Sequence, residues 1–327
     1  MRILLAVFDR SSSGISSYTL EVAKLMDMYA DITMLSFDKI NTTVKTIFIE
    51  RRKTYRAFPL FNYYNNRTLL DKVLDDFDVV HETLPPWAEG SDKYITTRWG
   101  YESYFRIAAT RFLYHPFPEN IGSLPVTFQH KLLDNITRSK AKHIVDVSMD
   151  TANFIPPPIS LRKLKNYSFD GTLKILFVSR DLNIRRKNLK VLLESLKITK
   201  KKVELHLVGR GKAEGISYGY LSREELINLM YEMDLLVLPS IYEELGYVGL
   251  EAYSIGLPVI TSDIISFRTV FRESPRFDPF SPASLSEIID NFDADKLELI
   301  GKKSWNYVKA SNTVAKDKFL RMYNSVK

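Results

Sequence analysis

The feature that most constrains this chain is a strand–helix alternation that runs twice. "RILLAVF", "DITMLSF", "KTIFIE", "DVVHE", "KYITTRW" and "KHIVDVS" are short runs rich in Val, Ile and aromatics. Between several of them lie helical patterns, "SSYTLEVAKLMDMY", "LLDKVLDDF", "YESYFRIAATRFLYH" and "TFQHKLLDNIT". Such runs predict parallel strands covered by helices on both faces. At "IPPPIS", from Ile155, the pattern breaks, because three prolines lack donors and hold a fixed φ. The stretch to about Thr172 reads as a linker. The alternation then restarts, with strands at "LKILFVS", "KVELHLVG", "GISYGYL", "DLLVLPS" and "LPVITSD". "NLKVLLESLK", "REELINLMYEM", "GYVGLEAYS" and "SPASLSEIIDNF" read as helices, and a last amphipathic helix is expected from about Thr313 to Val326. The prediction is an α/β chain of two doubly wound Rossmann-like domains, residues 1–155 and 156–327.

Composition narrows the function. The absence of cysteine removes disulfides, zinc–thiolate sites and cysteine nucleophiles. The formal charge of +7 is dispersed. Its densest clusters, Arg51, Arg52, Lys53, Arg56 and Lys200, Lys201, Lys202, read as solvated faces, so nucleic acid is not an expected partner. No run is long and apolar enough for a membrane span and no secretory pattern opens the chain, so a cytoplasmic location is expected. Neither G-x-G-x-x-G nor a P-loop is present, which weighs against a nicotinamide oxidoreductase.

Ligands of open parallel sheets bind beyond the carboxyl ends of the strands. Four such ends in the second half carry suggestive residues. "LFVSRDLNIRRKNL" delivers Ser179, Arg180 and Asp181 to the rim, with Arg186, Lys187 and Asn188 at the start of the next helix. A helix N-terminus beside Arg180 and Lys187 suits a diphosphate; the same residues also read as surface cations around a loop. "LHLVGRGK" places Gly209 and Gly211 about a tight turn, while His206 within the strand reads as core. "PSIYEELGYVGLEA" puts Pro239 and Ser240 at the rim and Glu243 in the loop; Gly246, Tyr247 and Val248 open a helix, and Glu251 lies farther along it. Dipole complementation would explain Glu243 and Glu244, but not Glu251. Asp263 is either a rim residue or a helix N-cap. In the first half, Gly14 of "FDRSSSGISSY" could let the backbone approach a ligand. "RWGYESYFRIAATRFLYHPFP", with Arg98, Arg106 and Arg111, reads as an acceptor wall, a face that touches lipid, or a helix packed on the sheet.

Arg180, Lys187 and "PSIYEELGYVGLEAYSIGLPVITSD", preceded by "GYLSREELINLMYEMDLLVLPS", strongly resemble the retaining glycosyltransferases of family 4. The resemblance is specific from about Leu173 to Asp263. The family signature, E-x-F-G-x-x-x-x-E-A followed by G-x-P-V-I, is filled by Glu243, Gly246, Glu251 and Ala252, with Leu245 replacing the usual Phe. The resemblance implies the GT-B fold: two Rossmann-like domains facing across a cleft, the first on the acceptor side and the second on the donor side. The last helix would cross back to the first domain. It implies a metal-independent, retaining transferase with no cofactor beyond its nucleotide-sugar donor. Arg180 and Lys187 would neutralise the diphosphate as catalytic cations, Glu243 would orient the transferred sugar, and Glu251 would hold the ribose. Gly14, Ser179, Gly209, Ser240, Gly246, Tyr247 and Val248 would complete the donor site. The acceptor would be a carbohydrate, lipid or protein, with room for peripheral membrane contact. The usual paired glycines of the first loop are "SSSG" here, and the usual first-domain histidine is replaced by Arg98 and Trp99 on the acceptor or sugar side. His81 and His115 do not stand in the matching place. A non-catalytic GT-B-like protein that binds a nucleotide or glycan is the alternative.

Overall fold

A computed structural model describes residues 1–7, 14–36, 39, 42–50, 71–83, 92–99, 125, 128–129, 131–132, 135, 139 and 141–326. Arg51 to Arg56, Arg106, Arg111 and His115 lie outside the described residues. The chain forms two compact units, Met1–Pro158 with Ser311–Lys327, and Ile159–Ala310.

The first unit holds β1 (Arg2–Val7), β2 (Asp31–Ser36), β3 (Lys45–Phe48), β4 (Val79–Glu82), β5 (Tyr94–Arg98) and β6 (His143–Asp146), all within the predicted runs. They pair in parallel in the order β3-β2-β1-β4-β5-β6. Ile3, Leu4, Leu5, Met34, Leu35 and Val79 are buried, as strands covered on both faces require.

The second unit holds β7 (Leu173–Asp181), β8 (Val203–Arg210), β9 (Ile216–Ser217), β10 (Leu235–Leu238), β11 (Val259–Ser262) and β12 (Arg276–Phe277). Its order, β12-β11-β10-β7-β8-β9, is the same winding as in the first unit, and its pairs are parallel. The order reverses between β7 and β10. Such a switch point splays the following loops to opposite faces and leaves a crevice at the carboxyl ends. The loop carrying Arg180 to Lys187 and the loop carrying Ser240 to Gly246 therefore become neighbours. The predicted strand "GISYGYL" shrinks to Ile216–Ser217, because Gly215 and Gly219 on either side take φ of +135° and +66°.

The last helix differs most from expectation. It runs unbroken from Ala294 to Asn324, 31 residues, rather than starting near Thr313. Its buried stripe passes through Leu297, Gly301, Ser304 and Val308, then Ala315, Phe319 and Tyr323. Gly301 and Ser304 interrupt the apolar pattern, which hides the first half of the helix from a periodicity reading. Gly301 is there for space. A Cβ on it would lie 2.0 Å from the Tyr167 hydroxyl oxygen and 2.2 Å from the Gly256 carbonyl oxygen. Gly301→Ala is therefore expected to destabilise the protein by about 1–3 kcal/mol, although alanine is the better helix former. Urea unfolding checks this, and a variant at least as stable as the parent would show that the packing yields.

Candidate functional site

At the end of β7 the register with β8 shifts between Val178 and Asp181. Ser179 is buried and donates its hydroxyl to the Asp181 carbonyl, 2.7 Å away. Arg180 is exposed and has no ion-pair partner among the described residues. Gly209 on β8 has φ +144°, and a Cβ there would sit 2.0 Å from the Ser179 carbonyl oxygen. The sequence suggested that Gly209 admits a ligand; the close approach found is to the neighbouring strand.

Beyond β7, Arg185–Lys187 form one 3-10 turn. Asn188 follows in the left-handed region (φ 57°) and donates its side-chain amide to the Pro279 carbonyl at 2.7 Å. Lys187 thus precedes the helix Leu189–Leu196 instead of lying in its first turn. The turn is tied to the β10 loop by the Ile241 N–H, which donates to the Arg186 carbonyl at 2.9 Å.

This junction brings three charged side chains together. Glu243 accepts from the Lys187 ammonium and, at 3.0 Å, from the Arg186 guanidinium. Arg186 also donates to the Tyr242 carbonyl at 3.3 Å. Burial alone would raise the Glu243 pKa; Lys187 and Arg186 outweigh it and hold the carboxyl at about 2. Burial pulls Lys187 below its ordinary value, with Arg186 adding to this and Glu243 opposing it. Sequence reasoning assigned Lys187 to a diphosphate and Glu243 to a sugar. The structure bonds them to each other and adds Arg186, which no motif had singled out as a partner.

Gly246 (φ +69°) precedes the helix Tyr247–Ile255, and no side chain caps this N-terminus. A Cβ on Gly246 would meet Phe267 at 2.7 Å, so glycine is required by packing as well as by backbone angle. Tyr247 is buried and Val248 partly so. Ser240 is buried, its carbonyl accepting from the Ser262 hydroxyl at 2.5 Å. Glu251 is 7% exposed, and its carboxylate lies 2.8 Å from the Arg223 guanidinium. Arg223 opens the helix Arg223–Glu232, whose capping box is formed by Ser222 and Glu225. A cation at a helix N-terminus opposes the dipole, and that misfit in "SREE" is the one local sign that Arg223 answers an acid elsewhere. Asp263 is a rim residue, not a cap. Arg268 grips both its oxygens at 2.6 and 2.7 Å, and Ile264 occupies the N-cap position.

In the first unit, Gly14 is exposed at the start of a helix, Gly14–Met26. Arg98 forks onto both oxygens of Asp146, which also accepts from the Thr151 hydroxyl. Trp99 donates to the Thr83 carbonyl at 2.5 Å and meets Tyr18 edge-on, ring centres 5.0 Å apart. His81 is fully buried, with Tyr323 and Thr97 hydroxyls each 2.8 Å from a ring nitrogen. Burial lowers its pKa to about 3. Both nitrogens are engaged, so it is a structural residue. His206 is likewise held, between Glu204 at 2.7 Å and Tyr218 at 2.9 Å, as its position within a strand suggested.

Comparison with solved structures identifies the architecture. Anabaena HepE in complex with UDP and glucose superimposes with a TM-score of 0.70 at 12% identity, over 99% of this chain and 100% of that one. The fold is GT-B. A sucrose-phosphate synthase from Thermosynechococcus elongatus gives 0.66 at 15% identity, covering 99% of this chain and 98% of its own. WaaG, a glycosyltransferase of lipopolysaccharide biosynthesis, gives 0.65 at 15%, covering 95% and 99%. At these identities the likeness speaks for the fold alone. In sequence, residues 172–291 match the family described as Glycosyl transferases group 1, the segment that contains Arg180, Lys187, Glu243 and Glu251. A glycogen synthase of Mycobacterium tuberculosis is 48% identical over 46 residues, 14% of this chain. That match spans 11% of the synthase. The GT-B likeness spans the chain, whereas the family match is confined to residues 172–291.

Proposed function

We propose that this GT-B protein moves a sugar from a nucleotide-sugar donor to a carbohydrate, lipid or protein acceptor, as in the retaining family-4 enzymes it resembles. The observation that supports this most is the junction of the β7 and β10 loops. It sets an uncompensated Arg180, the Lys187–Arg186–Glu243 cluster and a helix N-terminus without a side-chain cap at the carboxyl ends of adjacent strands. That is a setting for an anion. HepE was solved with UDP-glucose, and we carry that donor class over to this chain as part of the proposal.

In the proposed reaction the bond between the anomeric carbon and the β-phosphate oxygen breaks. The acceptor oxygen takes its place on the anomeric carbon with retention, and the acceptor hydroxyl proton is released. Negative charge grows on the leaving diphosphate. Arg180, Lys187 and the N–H groups at Gly246 to Val248 would stabilise that charge more in the transition state than in the bound donor, without recourse to a divalent metal. Glu251, steadied by Arg223, would receive the ribose hydroxyls, and Glu243 would orient the sugar. Ser179, Gly209 and Ser240 shape the loops from behind. Gly14, Arg98 and Trp99 belong to the first unit, where Asp146 holds Arg98 and the Thr83 carbonyl holds Trp99. Among the described residues no helix is long and apolar enough to cross a membrane. A cytoplasmic site of action, with peripheral contact when the acceptor is a lipid, completes the proposal.

The test is a melting and sugar-release screen with UDP-, GDP- and ADP-sugars, each with and without EDTA. One donor is expected to raise the melting temperature and to release sugar slowly, unaffected by EDTA. Release abolished by EDTA would overturn metal independence. Stabilisation without release, even when acceptors are supplied, would point to a nucleotide-binding protein instead.

A further inference from the structure

Two cations share one carboxylate at the β7–β10 junction, and they are not held alike. Arg186 is bound to the Glu243 loop three times. It donates to the Glu243 carboxylate at 3.0 Å and to the Tyr242 carbonyl at 3.3 Å, and its own carbonyl accepts from the Ile241 N–H at 2.9 Å. Among the described residues, Lys187 is hydrogen-bonded to that loop through its ammonium on Glu243 alone. Its flexible stem carries a compact charge that can swing, whereas the guanidinium is a planar fork already spread over two acceptors. The Glu243 side chain is only 12% exposed. A carboxylate so placed is costly to leave without a partner.

We propose that Arg186 is a positioning residue that keeps Glu243 paired when Lys187 turns to the donor diphosphate. This rests on the nucleotide-sugar reading given above. In the free protein Glu243 holds both cations. An arriving diphosphate competes for Lys187, and the exchange is favourable only because Arg186 stays behind on Glu243. Without Arg186, drawing Lys187 away would strand a nearly buried carboxylate, so Lys187 would remain locked. Arg186 thereby sets the affinity for the diphosphate without touching it.

The experiment is a double-mutant cycle read by calorimetric titration of UDP, GDP and ADP into the full chain. Arg186→Gln is expected to weaken the nucleoside diphosphate that binds the parent by about ten-fold or more. Arg186→Lys, which retains a cation near Glu243, is expected to restore much of that loss. In the Glu243→Gln background Lys187 is no longer locked. Binding there should be at least as tight as in the parent, and adding Arg186→Gln should change it by less than about two-fold. A loss that persists in the Glu243→Gln background would mean that Arg186 acts on the phosphate or on the fold, and would overturn the proposal. So would unchanged binding by Arg186→Gln. Melting temperatures of each variant show whether a loss is merely one of folding. If the parent binds none of the three nucleotides, the donor reading itself falls; if it binds and the cycle shows no coupling, only the role of Arg186 falls.

Discussion

Lys187→Ala is expected to reduce sugar transfer by about a hundred-fold or more, with most of the loss in kcat. The bound diphosphate is already anionic, and further negative charge develops on it as the anomeric bond to phosphate breaks. An interaction that strengthens along that path lowers the barrier rather than the ground state. The variant should still fold, because Arg186 remains to hold Glu243. Thermal unfolding and steady-state kinetics on the same preparation decide the matter. A loss confined to KM would show that Lys187 contributes only uniform binding. A collapse of the melting temperature would show that its main partner is Glu243 and that its role is structural.

Stability is expected to fall by about 2 kcal/mol between pH 8 and pH 5 through His81 alone. The sign follows from burial. His81 has a folded pKa of about 3 against an ordinary 6.5, because the interior disfavours the charged ring. Between those two values the unfolded chain binds a proton that the folded chain refuses. Stability from this group is therefore full above pH 6.5 and declines as pH falls towards 3. His143, lowered by burial and by Lys142, adds in the same direction. His81→Phe removes the ring that bonds Tyr323 and Thr97, and leaves two buried hydroxyls short of a partner. It should cost about 2–4 kcal/mol at pH 8. Its deficit against the parent should shrink by about 2 kcal/mol at pH 5, since the variant has no proton to refuse at this position. Denaturant unfolding at the two pH values measures both effects, and a deficit that does not change with pH would show that His81 titrates normally. Tyr323 lies near the end of the 31-residue helix that starts in the second unit, so this pair fixes the returning chain to the first.

Much of the fold was legible because its signals are local. A strand buried on both faces reads as a short apolar run wherever it occurs. Eleven of the twelve strands follow that reading, among them the shortened β9, where flanking glycines end the pairing; the two-residue β12 carries no apolar run and was not predicted. The capping box at Ser222 is equally local, since all its atoms lie within one helical turn. The start of the last helix was not legible, because Gly301 was selected by contact with Gly256 and Tyr167. That requirement lies in another part of the chain, and in the sequence it looks like a break.

The candidate site divides along the same line. Residue types and spacing from Arg180 to Asp263 were enough to mark these strand-end loops and to suggest a diphosphate; the nucleotide-sugar donor came from the family resemblance. They could not say which charge answers which. Glu243 is 56 residues from Lys187 in sequence, Arg98 is 48 from Asp146, and His81 is 242 from Tyr323. Each of these pairs exists because the winding order makes distant segments neighbours, and no local period encodes that. Ion pairing falls off within a few ångströms of contact, so it is decided only after the sheets are assembled. The sequence determined the two α/β domains and the chemistry available at their strand ends; the tertiary structure alone decided that Lys187, Arg186 and Glu243 form one cluster and that Glu251 leans on Arg223.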